Sequence, residues 1–182
     1  MIALVIGAAV ILYLIFIYNR LVKARQVKEE AWSGIDVQLK RRADLIPNLI
    51  ETVKGYAAHE KGTLEQIVEL RNKAQAVPQG DVAGRAQAEG MLSQALGKIF
   101  ALAEAYPDLK ANQNFSELQQ SLETIEEEIQ MSRRYYNGAA RDLNVKVESF
   151  PSNLIAGPFG FAKAPFFEIT NEADRAVPSV KF

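Results

Sequence analysis

Residues 2–18 (IALVIGAAVILYLIFIY) contain no charged side chain, and no other feature limits the fold of this chain as strongly. Coiled as a helix the run measures about 26 Å, slightly short of the roughly 30 Å hydrocarbon core of a bilayer. Met1, Asn19 and the aliphatic stem of Arg20 can supply the rest, because a long basic side chain keeps its head in water while its stem lies in lipid. The run is apolar all the way round, which argues against a core helix of a soluble domain with one face to solvent. A cleaved signal peptide would carry a basic segment ahead of a shorter apolar core and a small-x-small site after it. Here only Met1 precedes the run, and Tyr18, Asn19, Arg20 and Leu21 close it. Residues 1–19 are therefore expected to be an uncleaved transmembrane anchor. Arg20, Lys23, Arg25 and Lys28 follow it ahead of the first acid, Glu29. The positive-inside rule then places the N-terminus outside and the long C-terminal part in the cytoplasm, as a single-pass protein of a bacterial inner (plasma) membrane.

Beyond the anchor, apolar residues recur every three or four positions at Ala24, Val27, Ala31, Ile35, Leu39, Ile46, Leu49, Ile50, Val53, Tyr56 and Ala57. That period belongs to an amphipathic helix, and no turn residues separate it from the span, so the anchor should continue into the first soluble helix without a linker. Pro47 predicts a kink or a new first turn, since proline lacks the N–H that bonds four residues back. Unbroken to Lys73 the helix would reach about 80 Å, more than a compact domain needs, so a break is expected between Tyr56 and Gly62. A loop at residues 77–81 (VPQGD) precedes a helix over about residues 82–106, with Met91, Leu92, Ala95, Leu96, Ile99, Leu102, Ala103 and Tyr106 on one stripe and Pro107 as its stop. Asn114 and Glu117 have the spacing of a capping box at the head of a last long helix, whose stripe runs from Phe115 through Leu122, Ile129 and Tyr136 to Leu143 and ends near Phe150. Long helices joined by short loops favour antiparallel neighbours. The expectation is an all-α chain with a cytoplasmic long-helix bundle over residues 20–150.

Residues 151–182 change character. Pro151, Pro158, Pro165, Pro178, Gly157 and Gly160 break any helical period, while Phe159, Phe161, Phe166, Phe167 and Phe182 supply apolar anchors. An extended aromatic tail is expected, with its rings packed back on the bundle, docked on a neighbouring subunit, or set at the membrane interface.

The residues that usually carry chemistry are scarce. A net charge of -1 offers no basic face for nucleic acid, and the absence of cysteine removes disulfides, thiolates and sulfur-held zinc. His59 is the only histidine. It lacks the second histidine of a zinc-protease helix, and a di-metal bundle would need two Glu-x-x-His pairs. The glycines at residues 80–84 and 157–160 lack the Lys-Ser/Thr ending of a phosphate loop. No catalytic residue, cofactor or metal is expected, and the chain is read as a non-enzyme.

Two charge clusters remain. Gln38, Lys40, Arg41, Arg42 and Asp44 cover most of the helix circumference just before Pro47, and such a belt needs partners, from acids on adjacent helices first or from another subunit. The acidic Glu123, Glu126, Glu127 and Glu128 read as a solvated helix face, and Asp44 or Glu51 could meet the basic Arg133, Arg134 and Arg141. The candidate interaction residues are Lys40, Arg41, Arg42 and Asp44 in the belt and Phe159, Phe161, Phe166 and Phe167 in the tail.

Taken as motifs, residues 18–22 (YNRLV), 31–33 (AWS), 36–49 (DVQLKRRADLIPNL), 53–57 (VKGYA), 104–112 (EAYPDLKAN), 134–137 (RYYN) and 150–157 (FPSNLIAG), with Phe159, Gly160 and Phe161, are similar to the LemA family over nearly the whole chain. The resemblance implies a bacterial membrane protein with an antiparallel four-helix bundle and the N-terminus outside. It carries over no catalytic residue. Some relatives are associated with magnetosome membranes, which implies organising or remodelling of membrane. The function expected is a membrane-anchored scaffold that self-associates. The alternative is an accessory subunit that recruits or regulates another membrane protein, such as a protease or sensor. The expected partners are the lipid bilayer, further copies of the chain and, on the alternative, another membrane protein.

Overall fold

The computed structural model describes residues 1–57 and 59–168, and among these it contains helices and turns but no strand. Six helices follow in order: α1 (Ile2–Lys54), α2 (Lys61–Ala76), α3 (Val82–Ala103), α4 (Pro107–Lys110), α5 (Gln113–Glu148) and α6 (Asn153–Ala156). The all-α class holds, and so does the passage of the apolar run into the first soluble helix without a linker. Pro178 and Phe182 of the tail lie outside the described residues. The chain divides into two compact units that are not contiguous in sequence, and α1 and α5 contribute to both.

The first unit joins Met1–Val37 to Ile129–Phe166. Residues 1–16 are exposed throughout, and Ile17 is the first buried side chain of α1. An apolar helix that nothing in the chain covers suggests a membrane environment, because exposing so much apolar surface to water costs about 25 cal/mol for each Å². It is long and apolar enough to cross a membrane. From Ile17 onwards the unit has a core of its own, in which Ile17 and Leu21 of α1 meet Ile155, Ala156 and Phe161. Further along, the Trp32 and Tyr136 rings join α1 to α5 edge to face, with centroids 5.5 Å apart.

The second unit holds Gln38–Glu128 and, of the described tail, residues 167–168. Its core draws on four long helices: Ile46, Leu49 and Val53 from α1, Leu64 and Ile67 from α2, Leu92, Leu96 and Ile99 from α3, and Phe115 and Leu122 from α5. Residues 55–60 and 77–81 connect the first three helices, and such short connections reverse the chain, so successive helices run antiparallel. Gly80 stands at a φ of 99° in the second connection, a conformation that is strained for a residue with a Cβ. The predicted break between Tyr56 and Gly62 falls in the first connection.

Three local expectations give way to packing. Helix α1 passes through Pro47 without a new start. The proline deprives the Ala43 carbonyl of its partner four residues on, and the Arg71 side chain of α2 donates to that carbonyl from Nε at 2.8 Å. Tertiary contact thus repairs what the sequence breaks. Helix α3 ends at Ala103, and Pro107 opens α4 as its first residue instead of stopping α3. At the head of α5 the capping group is Asn112, whose Oδ1 accepts from the Phe115 amide at 3.0 Å, two residues earlier than the Asn114–Glu117 pattern suggests.

Candidate functional site

The belt before Pro47 is built around Arg42, a guanidinium only 2% exposed. A buried cation must be paired, since leaving it alone in a poor dielectric costs several kcal/mol. Arg42 donates from Nη2 to Glu89 of α3 and from Nη1 to Glu126 of α5, each at 2.6 Å, and Nη1 also lies 2.6 Å from the Ser93 hydroxyl. Glu89, itself buried, accepts a second bond on its other oxygen from Arg85 Nε at 2.8 Å. Two cations and two carboxylates therefore balance one another across three helices. Among the described residues Arg42 Nε is the one fully buried side-chain nitrogen or oxygen without a hydrogen-bond partner. Towards solvent, Arg41 binds Glu128 at 2.6 Å and Gln38 at 2.9 Å, and Lys40 binds Asp44 at 2.7 Å.

The belt thus finds its partners within the chain. The acidic run is not merely a solvated face, because Glu126 and Glu128 are the acids that the belt uses. Asp44 and Glu51 pair with Lys40 and Lys54 rather than with the arginines of α5. Arg42 is removed from the residues that could meet a second subunit, whereas Lys40, Arg41 and Asp44 remain exposed.

Sequence reasoning missed Glu89. The α3 stripe was read from Met91, yet Met91 is exposed and Val82, Ala86, Glu89 and Gly90 form the buried start of that face. A buried carboxylate four residues after Arg85 and in phase with Leu92 and Leu96 was the available signal, since Glu is almost never buried unless paired.

The tail does not run extended from Pro151. It turns at once, with Ser152 Oγ donating to the Lys146 carbonyl at 2.6 Å, makes the short α6, and then lies along α5. The Asn144 amide clamps Ala164 by both ends, donating to its carbonyl at 2.9 Å and accepting from its N–H at 2.7 Å. Lys163 pairs with Glu148 at 2.7 Å, and the Tyr136 hydroxyl donates to the Pro165 carbonyl at 2.9 Å. Burial pushes the Tyr136 phenol above its ordinary pKa. An Asn in the interior of a helix is a poor helix former, which is the one hint of this clamp in the sequence.

Of the four phenylalanines singled out, Phe161 and Phe167 are buried, while Phe159 and Phe166 are exposed. Phe161 and Phe159 both meet the Tyr18 ring edge to face, at centroid distances of 5.8 and 5.1 Å, and Arg25 lies 5.0 Å above the Phe161 ring. Rings of the tail therefore close on the last turn of the apolar run, between the span and its four cations. Phe161 and Phe167 serve the fold of this chain and leave Phe159 and Phe166 as the tail residues open to a neighbour.

Comparison with known proteins places these features in a wider set. A family model described as the LemA family matches residues 31–182. The chain is 26% identical over 184 residues to "Magnetosome protein MamQ 2" of Paramagnetospirillum magneticum, covering 88% of this chain and 68% of that one. The corresponding protein of Magnetospirillum gryphiswaldense is 25% identical over 183 residues, covering 87% of this chain and 67% of its own length. A "Protein LemA" of Metamycoplasma hominis is 25% identical over 150 residues, covering 82% of this chain and 68% of its own.

Proposed function

We propose that this chain, which belongs to the LemA family, is a non-enzymatic, single-pass membrane scaffold that self-associates and organises membrane or membrane complexes. The observation that carries the reading is α1, one helix whose first part is bare and apolar and whose later part supplies the core and the buried Arg42 of a four-helix unit. A catalyst on a tether has no need of a helix that runs without a linker from lipid into its core, whereas a scaffold does.

Self-association has its own support. Met131 and Tyr135, one turn apart on α5, are exposed, as are Phe159 and Phe166 of the tail. With Lys40, Arg41 and Asp44 they give the chain apolar and charged surface for further copies of itself. Relatives named for the magnetosome agree with a role in organising membrane.

The orientation belongs to the same reading. Arg20, Lys23, Arg25 and Lys28 retain the bundle on the cytoplasmic side and leave the N-terminus outside. Because the chain has no cysteine, Ser33→Cys gives a single thiol for an impermeant label. Labelling only after the inner face is opened supports the orientation, and labelling of intact spheroplasts overturns it.

Crosslinking in native membranes tests the scaffold. A ladder at multiples of 20.2 kDa is the expected result. One abundant adduct to a protein of different mass would replace the scaffold with an accessory subunit that recruits or regulates that partner, a protease or sensor among them.

A further inference from the structure

We infer that the first unit holds one anionic phospholipid of the leaflet into which the C-terminal end of the span emerges. The site is a cleft between the end of the span and the end of α5. Its lower part, about 240 Å³, is lined mostly by apolar residues, Tyr13, Phe16 and Ile17 of α1 with Val145 and Phe150, and at one side by Ser149 and Ser152. Its upper part, about 280 Å³, is lined by Arg20, Lys23, Ala24 and Val27 of α1 and by Asp142 and Lys146 of α5. Arg20 and Lys146 border both parts, so the two adjoin, a mostly apolar floor beside a cationic mouth.

Depth decides the occupant. Seven residues separate Tyr13 from Arg20, about 10 Å along a helix, so the floor lies within the hydrocarbon while the mouth stands at the level of lipid phosphates. The lower end is a poor place for water, since most of its wall is aromatic or aliphatic and the surroundings are acyl chains. An acyl chain fits there, and the phosphate attached to it then reaches the mouth.

Charge decides the class of lipid. Three cations face one carboxylate, Asp142, which is 3.7 Å from the Arg141 guanidinium. The Lys146 ammonium donates to the Asp142 main-chain carbonyl at 3.2 Å, which leaves its charge to be neutralised from outside. The Arg20 guanidinium lies 5.6 Å from the centre of the Phe16 ring, turned back towards the bilayer. A headgroup with a net negative charge answers all three cations, and a zwitterionic one brings its own ammonium into the same space.

The neighbouring surface continues the same design. Leu154 is 64% exposed and Phe159 62%, and Phe159 touches Tyr18 at the end of the span. These side chains reach the interfacial layer beside the cleft, where aromatic residues are favoured. The inference rests on the membrane anchor alone and does not depend on self-association.

Native mass spectrometry of the full chain released from nanodiscs, made with phosphatidylglycerol or with phosphatidylcholine, tests the site. One retained phosphatidylglycerol and little phosphatidylcholine is the expected result. Lys146→Gln and Lys23→Gln should each cut retention about fivefold. Lys28→Gln removes a cation of the same helix that lines neither part of the cleft and pairs with Glu29, and it should leave retention unchanged. Circular dichroism of each variant confirms the helical fold. Equal retention of the two lipids, an equal loss from Lys28→Gln, or displacement of the lipid by millimolar inorganic phosphate would each overturn the site.

Discussion

The two compact units of this chain treat charge in opposite ways. In the unit built on Gln38–Glu128, Arg42 and Glu89 are withdrawn from water and tied to Arg85 and Glu126 across three helices. In the unit that carries the span, the cations Arg20 and Lys23 stay at the surface and aromatic rings make the joins, Trp32 to Tyr136 and Tyr18 to Phe159 and Phe161. The lesson concerns solvent. A bundle in water can hide an ion pair and so penalise every mispairing of its helices, because one unpaired partner costs far more than the pair contributes. A unit at a membrane surface keeps its charges for headgroups and uses rings that tolerate both lipid and water.

The largest break in that contrast should come from Arg42→Met, which takes from the buried Glu89 one of its two cations. Chemical denaturation of the full chain in detergent is expected to show a loss of about 3 kcal/mol or more. Replacing Arg42, Glu89, Arg85 and Glu126 together by apolar residues should recover much of that loss. Equal stability of Arg42→Met and the parent would mean that the buried charges do not organise this unit.

Next in size is Arg71→Ala, which strands the Ala43 carbonyl and should cost about 1–3 kcal/mol. Pro47→Ala supplies the missing N–H, so the double variant should regain most of that loss. Additive losses in this cycle would exclude the repair at Pro47.

In the unit that carries the span the effects should be smaller and confined to the tail. Tyr136→Phe removes the bond to the Pro165 carbonyl, worth about 1 kcal/mol, and should speed tryptic cleavage at Lys163 without loss of helix. Alkali offers a gentler form of the same test. The Tyr136 phenol is raised in the folded chain, so its contribution is complete below the ordinary phenol range and fades as pH climbs from about 10 through the folded value. Stability to chemical denaturation should fall over that range more in the parent than in Tyr136→Phe. Smallest of all, Lys40→Gln opens an exposed pair with Asp44 and should change stability by less than about 1 kcal/mol.

Much of this architecture was legible because it follows from period and solvent. The bare run of residues 2–18, the three-and-four spacing from Ala24 to Ala57 and the loop at residues 77–81 each state their structure locally. The belt announced its need for partners, since five polar residues spread around two turns cannot all face water. Its partners were harder to find. Glu126 lies 84 residues from Arg42 and Glu89 lies 47 away, and nothing local distinguishes Glu126 from Glu123 or Glu127. The repair of Pro47 was hidden for the same reason, because it depends on Arg71 of the next helix. The cleft at the end of the span was also invisible, since Arg20 and Lys146 are brought together only by the packing of α1 on α5.

The central claim, a scaffold that self-associates in the membrane, is tested most directly by the mass of the full chain in detergent. Light scattering with the detergent contribution subtracted, over a hundredfold range of protein concentration, gives that mass. The account predicts a stable multiple of 20.2 kDa that persists on dilution. A single chain at every concentration would contradict it.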